Sequence, residues 1–184
     1  MSNLPNLLSL FRILVIPFII FLSFLGSKEL SILAAIIFLL ASLTDYLDGF
    51  IARKYSLETD LGALIDLIAD KLLVVSLLVW LTYSINTLEI FLLSLILILR
   101  EIIISSVRQL VQSKSDLNTL SANKFGKLKT VFQMLSISVL LLVEPFSLSI
   151  WIYISGIFLL GVASFLSVFS LLIYAKSVYK NYKP

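Results

Sequence analysis

Six apolar runs, each separated from the next by a short polar stretch, divide this chain. They extend from about Leu4 to Gly26, Leu30 to Tyr55, Leu61 to Tyr83, Leu88 to Val111, Lys124 to Val143 and Leu148 to Tyr174. Each comes close to the roughly 20 residues that a helix needs to cross the hydrocarbon core of a bilayer. Between them lie Ser56-Leu57-Glu58-Thr59-Asp60, Ser84-Ile85-Asn86-Thr87, a longer polar segment from Gln112 to Asn123, and Glu144-Pro145. Such stretches mark turns. The pattern predicts an all-α, polytopic membrane protein with six transmembrane helices, one domain spanning residues 1–184. The first run resembles a secretory leader in length, but it lacks a basic start and a small-x-small cleavage pattern, and Arg12 sits in its first half. It is therefore expected to be the first membrane helix.

Composition agrees with this reading. Sixty per cent of the 184 residues are hydrophobic and only 14% are charged, with a mean hydropathy of +1.09, well outside the balance of a soluble globular domain. The net charge of +3 says less than its distribution does. If six helices alternate, thirteen of the fourteen Lys and Arg residues fall on one side of the membrane, with Lys28 as the exception. The positive-inside rule then places that side in the cytoplasm, with the protein a multi-pass component of the inner membrane. An odd number of helices would break the agreement.

The polar residues left inside this oily chain are the candidates for chemistry. Four of its eleven acidic residues, Asp45, Asp48, Asp66 and Asp70, crowd the end of the second run and the start of the third. A charge near the hydrocarbon core costs about 2.5–3.5 kcal/mol on insertion scales, which makes such residues functional candidates by default. Asp45, Asp48 and Ala52 share one helical face, and Gly62, Asp66 and Asp70 share another. A tight hairpin would bring the two faces together. The chain has neither Cys nor His, so thiolate chemistry, zinc-type ligation and the commonest general base are excluded. Converging carboxylates form a hard oxygen site suited to Mg²⁺ or Mn²⁺, and two such ions could clamp a diphosphate for in-line displacement at phosphorus. Gly49, Ala52 and Gly62 leave room for a bulky ligand, or simply let helices pack closely. Arg53 offers a fork donor to phosphate. Asn6, Ser9 and Arg12 also share a face; either they cap and snorkel at the interface, or they turn toward the Asp cluster.

The run Asp45-x-x-Asp48-Gly49-x-x-Ala52-Arg53, eight residues, Gly62, three residues, Asp66, three residues, Asp70 resembles the signature of the CDP-alcohol phosphatidyltransferases at all eight specified positions. The resemblance implies six transmembrane helices, a homodimer, and transfer of a phosphatidyl group from a CDP-linked lipid to an alcohol with release of CMP. It also implies that Asp45, Asp48, Asp66 and Asp70 bind divalent metal and that Asp70 is the catalytic base. By the same resemblance Gly49, Ala52, Arg53 and Gly62 contact the CDP-lipid, and Asn6 and Ser9 are expected beside it.

Further stretches resemble the branch of that family whose donor is CDP-diacylglycerol and whose acceptor is sn-glycerol 3-phosphate. These are Pro5 to Arg12, Ala69-Asp70-Lys71, Arg100 to Ser105 with Arg108, and Gly126 to Met134. A phosphorylated acceptor needs cations apart from the diphosphate site, and Arg100, Arg108 and Lys127 are available on the same side. Attraction to anionic lipid accounts equally well for Lys124, Lys127, Lys129 and the C-terminal lysines. No nucleic acid is expected as a partner. A carboxylate-lined cation transporter would instead carry its site near the midplane on broken helices, whereas these Asp residues sit at one end of a hairpin.

Overall fold

The computed structural model describes residues 4–55, 60–114, 124–143 and 150–182. They form six α-helices: α1 (Leu4–Phe24), α2 (Lys28–Tyr55), α3 (Asp60–Ile85), α4 (Leu88–Lys114), α5 (Lys124–Leu140) and α6 (Ile150–Tyr182). No strand occurs among the described residues. The expected runs are recovered with ends shifted by a few residues, except that α6 continues through the lysine-rich tail to Tyr182.

Local chemistry explains the boundaries. Gly26 follows α1 with φ +68°, its N–H donating to the Ser23 carbonyl at 3.1 Å, a left-handed stop that glycine adopts without penalty. Ser27 then caps α2, its Oγ accepting from the Leu30 N–H at 3.3 Å, with Glu29 in the first turn against the helix dipole. Asn86 plays the same stopping part after α3, at φ 50°, in keeping with asparagine's tolerance of this region.

The helices pack as an up-and-down bundle in which α5 lies most extensively on α6, α1 packs against both α2 and α3, and α4 packs on α6 and α3. Of the helix pairs that touch among the described residues, α2 and α3 share the smallest contact. Both α2 and α3 pack on α1; the side chains of the α2 arm of the expected hairpin, from Asp45 to Tyr55, lie outside the described residues. Direction follows from the bonds. Ser9 reaches Asp66 and Ser23 reaches Trp80, a constant offset of 57 residues, so α1 and α3 run parallel. Ser164 meets Leu93 and Ser170 meets Arg100, so α4 and α6 also run parallel. Ser136 donates to the Gly156 carbonyl at 2.8 Å while Gly126 lies beside Ser170, which makes α5 and α6 antiparallel.

The interior is apolar along most of the bundle, with Ile19, Phe38, Leu73, Leu77, Leu81, Leu97, Ile137, Leu140 and Leu160 buried together. At one end it turns polar, burying Ser9, Arg12, Arg100, Lys129, Gln133, Ser167 and Ser170. The outer surface is the reverse: Leu14, Phe18, Phe21, Leu64, Phe91, Ile102, Val131, Phe158, Phe165 and Leu172 all face outward. Apolar cover on every helix, wrapped around buried charge, marks a surface made for lipid, and the protein associates with membranes. By length and apolarity alone, the helices able to cross a bilayer among the described residues are Leu88–Val107 and Ile150–Lys176, with Ser9–Phe24 a shorter apolar helix.

Candidate active site

The polar end of the bundle collects the early turns of α1, α3 and α5 and the late turns of α4 and α6. On α3 the i, i+4 spacing puts Asp66 and Asp70 on one face, with Gly62 one turn earlier, half-buried.

Asp66 is held from α1. Its Oδ1 accepts from Ser9 Oγ at 3.1 Å and from Arg12 Nη2 at 2.5 Å, and Arg12 also reaches Ser9 Oγ at 3.5 Å. Arg12 is 0% exposed. Of the two readings of the Asn6, Ser9 and Arg12 face, snorkelling at the interface does not fit a fully buried guanidinium; Ser9 and Arg12 turn toward the carboxylates. The ion pair makes burial of the guanidinium tolerable. It also differentiates the two carboxylate oxygens. Oδ1 is committed to α1, and no bond to Oδ2 is found among the described residues.

A second polar group joins α3, α4, α5 and α6. Arg100 on α4 donates from Nε to the Ser167 carbonyl at 3.3 Å and from Nη2 to Ser170 Oγ at 3.2 Å. Its Nη1 lies 3.4 Å from Glu101 Oε1. The same oxygen pairs with Lys129 Nζ from α5. Lys71, next to Asp70, donates to Ser105 Oγ at 2.5 Å, and Ser105 Oγ donates to the Glu101 carbonyl at 2.6 Å. Asp70 in turn is close enough to Lys129 for their charges to interact. The two polar groups thus share α3, the first entering it at Asp66 and the second one turn later at Asp70 and Lys71.

Of the residues singled out in the sequence, Ser9, Asp66, Asp70 and Arg100 are found at this end. Lys127 is also on α5 but exposed; the interior position belongs to Lys129, two residues on. The spacing contains the signal for this. Lys129, Gln133, Ser136 and Leu140 recur at helical intervals and all are buried, whereas Leu128, Val131 and Leu135 face outward. Asn6, Asp45, Asp48, Gly49, Ala52, Arg53 and Arg108 have places on α1, α2 and α4, but beyond that they lie outside the described residues. So do the connections 56–59, 115–123 and 144–149.

The donor set suits a hard cation. Asp66 and Asp70 could each offer carboxylate oxygen from α3, and the second half of α2, which carries Asp45 and Asp48, leads by a short connection into the start of α3. Among the described residues no three acidic side chains come together. All-oxygen ligation with an uncommitted Oδ2 at Asp66 is the chemistry that Mg²⁺ or Mn²⁺ requires.

Comparison with known proteins bears on the same residues. A family model described as CDP-alcohol phosphatidyltransferase matches residues 2–173. The chain is 43% identical to a protein of Wigglesworthia glossinidia brevipalpis over 172 residues, covering 94% of this chain and 92% of the relative. It is 39% identical to one from Rickettsia typhi, covering 91% and 92%, and 37% identical to one from Escherichia coli (strain K12), covering 94% and 92%. Each of the three is named CDP-diacylglycerol–glycerol-3-phosphate 3-phosphatidyltransferase.

Proposed function

The chain belongs to the CDP-alcohol phosphatidyltransferase family, and on that premise we propose that it transfers the phosphatidyl group of CDP-diacylglycerol to sn-glycerol 3-phosphate, giving phosphatidylglycerol phosphate and CMP. The observation that carries this reading is its likeness, over nine-tenths or more of both chains, to enzymes named for that reaction. The buried cations Arg100 and Lys129, at the same end of the bundle as Asp66 and Asp70, support it, because they are what a phosphorylated acceptor needs.

In this mechanism Asp45, Asp48, Asp66 and Asp70 would hold two divalent cations, Mg²⁺ or Mn²⁺. When bound, these neutralise the diphosphate and stabilise departing CMP. Arg12 and Ser9 fix Asp66 through Oδ1, leaving Oδ2 for ligation. Gly49, Ala52 and Gly62, with Arg53, Asn6 and Ser9, accommodate the CDP-lipid. Arg100, Arg108 and Lys127 are assigned the acceptor phosphate, and the geometry favours adding Lys129, which unlike Lys127 is buried. With its phosphate on these cations, the acceptor's hydroxyl falls toward Asp70, which interacts with Lys129. Asp70 takes the hydroxyl proton as that oxygen attacks the lipid-side phosphorus and the bond to the bridging oxygen breaks. Holding the acceptor by its phosphate turns an encounter into a positioned attack.

All six helices cross the inner membrane in this reading, as one domain with the polar end toward the cytoplasm, and the enzyme works as a homodimer. The test is CMP release from CDP-diacylglycerol by the purified protein, with sn-glycerol 3-phosphate, phosphatidylglycerol, serine or inositol phosphate as acceptor, with and without Mg²⁺ or Mn²⁺. Glycerol 3-phosphate should react and should need the cation. If it were inert while another acceptor reacted, the assigned acceptor would be wrong.

A further inference from the structure

The cations assigned to the acceptor phosphate already have an anion. Glu101 Oε1 alone contacts both Arg100 Nη1, at 3.4 Å, and Lys129 Nζ, so a single carboxylate oxygen bridges two helices and two positive charges. Exposure of the three side chains is uneven: Arg100 is 9% and Lys129 5% exposed, but Glu101 is 24% exposed. The carboxylate is therefore the most accessible of the three groups, and the one an incoming anion could displace without exposing either cation first. Its hold is also divided. Arg100 has independent partners in the Ser167 carbonyl and Ser170 Oγ, which keep the guanidinium in place whether or not Glu101 stays. The α4 backbone at Glu101 is anchored through its carbonyl by Ser105, itself bonded to Lys71, so the side chain can swing away without moving the helix.

Building on the acceptor pocket proposed above, we infer that Glu101 is an internal competitor for the acceptor phosphate: its carboxylate satisfies Arg100 and Lys129 until a phosphorylated acceptor displaces it. The carboxylate supplies negative charge to two buried cations, which such an interior demands. A phosphate offers three oxygens and up to two charges, and so can replace a single carboxylate. A neutral alcohol has nothing comparable to offer. Glu101 thus excludes uncharged acceptors and reduces the affinity for the charged one to the fraction of pockets from which it is already displaced. No bond is made or broken in this exchange; one anion replaces another.

Three variants, assayed as full-length protein in detergent micelles, test the inference, with inorganic phosphate as the probe of the pocket. Glu101→Gln removes the competing charge and keeps the shape. The Ki of inorganic phosphate and the KM for glycerol 3-phosphate should each fall by about tenfold, with kcat changed much less. A merely structural role for Glu101 would lower the melting temperature and leave both constants where they were, or raise them, and either outcome overturns the inference. If Glu101→Gln does not purify as a monodisperse protein, Glu101→Asp decides. One methylene shorter, it keeps its charge but cannot bridge both cations as well, so a smaller fall in Ki is expected, and an unchanged or raised Ki refutes the idea. Lys129→Met separates this inference from the reading beneath it. If that variant leaves the KM for glycerol 3-phosphate unchanged, the acceptor pocket is misassigned and the competitor role goes with it. If the KM rises while Glu101→Gln leaves the phosphate Ki unaltered, the pocket stands and only the competitor role is lost.

Discussion

At the scale of single residues, the proposed mechanism asks the Asp66 carboxylate to serve two purposes. Oδ1 is bonded by Ser9 and Arg12, which fixes the carboxylate through one oxygen and leaves the other for the proposed cation. Asp66→Asn keeps an oxygen able to accept from α1 but loses the charge that a cation requires. Turnover should fall by roughly a hundredfold or more, with the melting temperature nearly unchanged; retained CMP release in that variant would remove Asp66 from the site. Arg12→Met has the opposite profile. It leaves Asp66 without its buried counter-charge, which for a carboxylate 37% exposed should destabilise the protein by about 1–3 kcal/mol, less than for a fully buried pair. Thermal unfolding followed by tryptophan fluorescence should show the loss, and added Mg²⁺ should recover part of it by taking over the neutralisation of Asp66.

At the scale of helices, the most extensive contact is α5 on α6, and it relies on small residues. Ser136 donates across it to the Gly156 carbonyl, which brings the backbones close in the manner of small-residue interfaces in membranes. A Cβ at Gly156 would lie 2.5 Å from Leu140 Cδ2 and 2.8 Å from its Cγ, and Leu140 is itself buried. Gly156→Ala should therefore overpack the interface and destabilise by about 1–3 kcal/mol. Gly161, one and a half turns further along α6, has nothing within 4 Å of such a Cβ. Gly161→Ala should be neutral or slightly stabilising, since alanine is the better helix former. The pair of melting temperatures checks the interface; equal shifts would mean that α5 and α6 do not approach so closely. The α5 face also decides which lysine is inside. Lys129 shares it with Gln133 and Ser136, and Lys127 does not, a distinction of roughly 200° around the helix axis.

At the scale of the whole molecule, polarity is turned inside out, with Arg12, Arg100 and Lys129 buried and Phe18, Phe21, Phe158 and Phe165 outside. The direction of the chain is consistent with this. Parallel α1 and α3, parallel α4 and α6, and antiparallel α5 and α6 bring the polar turns to one end and leave Ser23, Trp80 and the Gly26 and Asn86 turns at the other. The absence of cysteine makes the orientation easy to test. In whole cells, Glu89→Cys, in the first turn of α4, should react with a membrane-impermeant maleimide. Lys176→Cys, exposed near the end of α6, should react only after permeabilisation. Labelling of both positions from outside would overturn the assigned topology and with it the cytoplasmic site.

By itself, the sequence determined the six helices, because apolar runs of membrane length and the Gly, Ser and Asn residues between them are local properties. It also carried the family, since the Asp45 to Asp70 pattern is read along one stretch of chain and the family model matches residues 2–173. Only the tertiary structure decided which polar groups pair. That Arg12 goes to Asp66 across 54 residues, that Lys129 and not Lys127 enters the interior, and that Glu101 holds two cations from different helices all depend on how helices distant in sequence are set against one another. The physical reason is the energy of a buried charge. It makes pairing obligatory in such an interior, but the choice of partner depends on the rotation and register of whole helices, which no local pattern specifies.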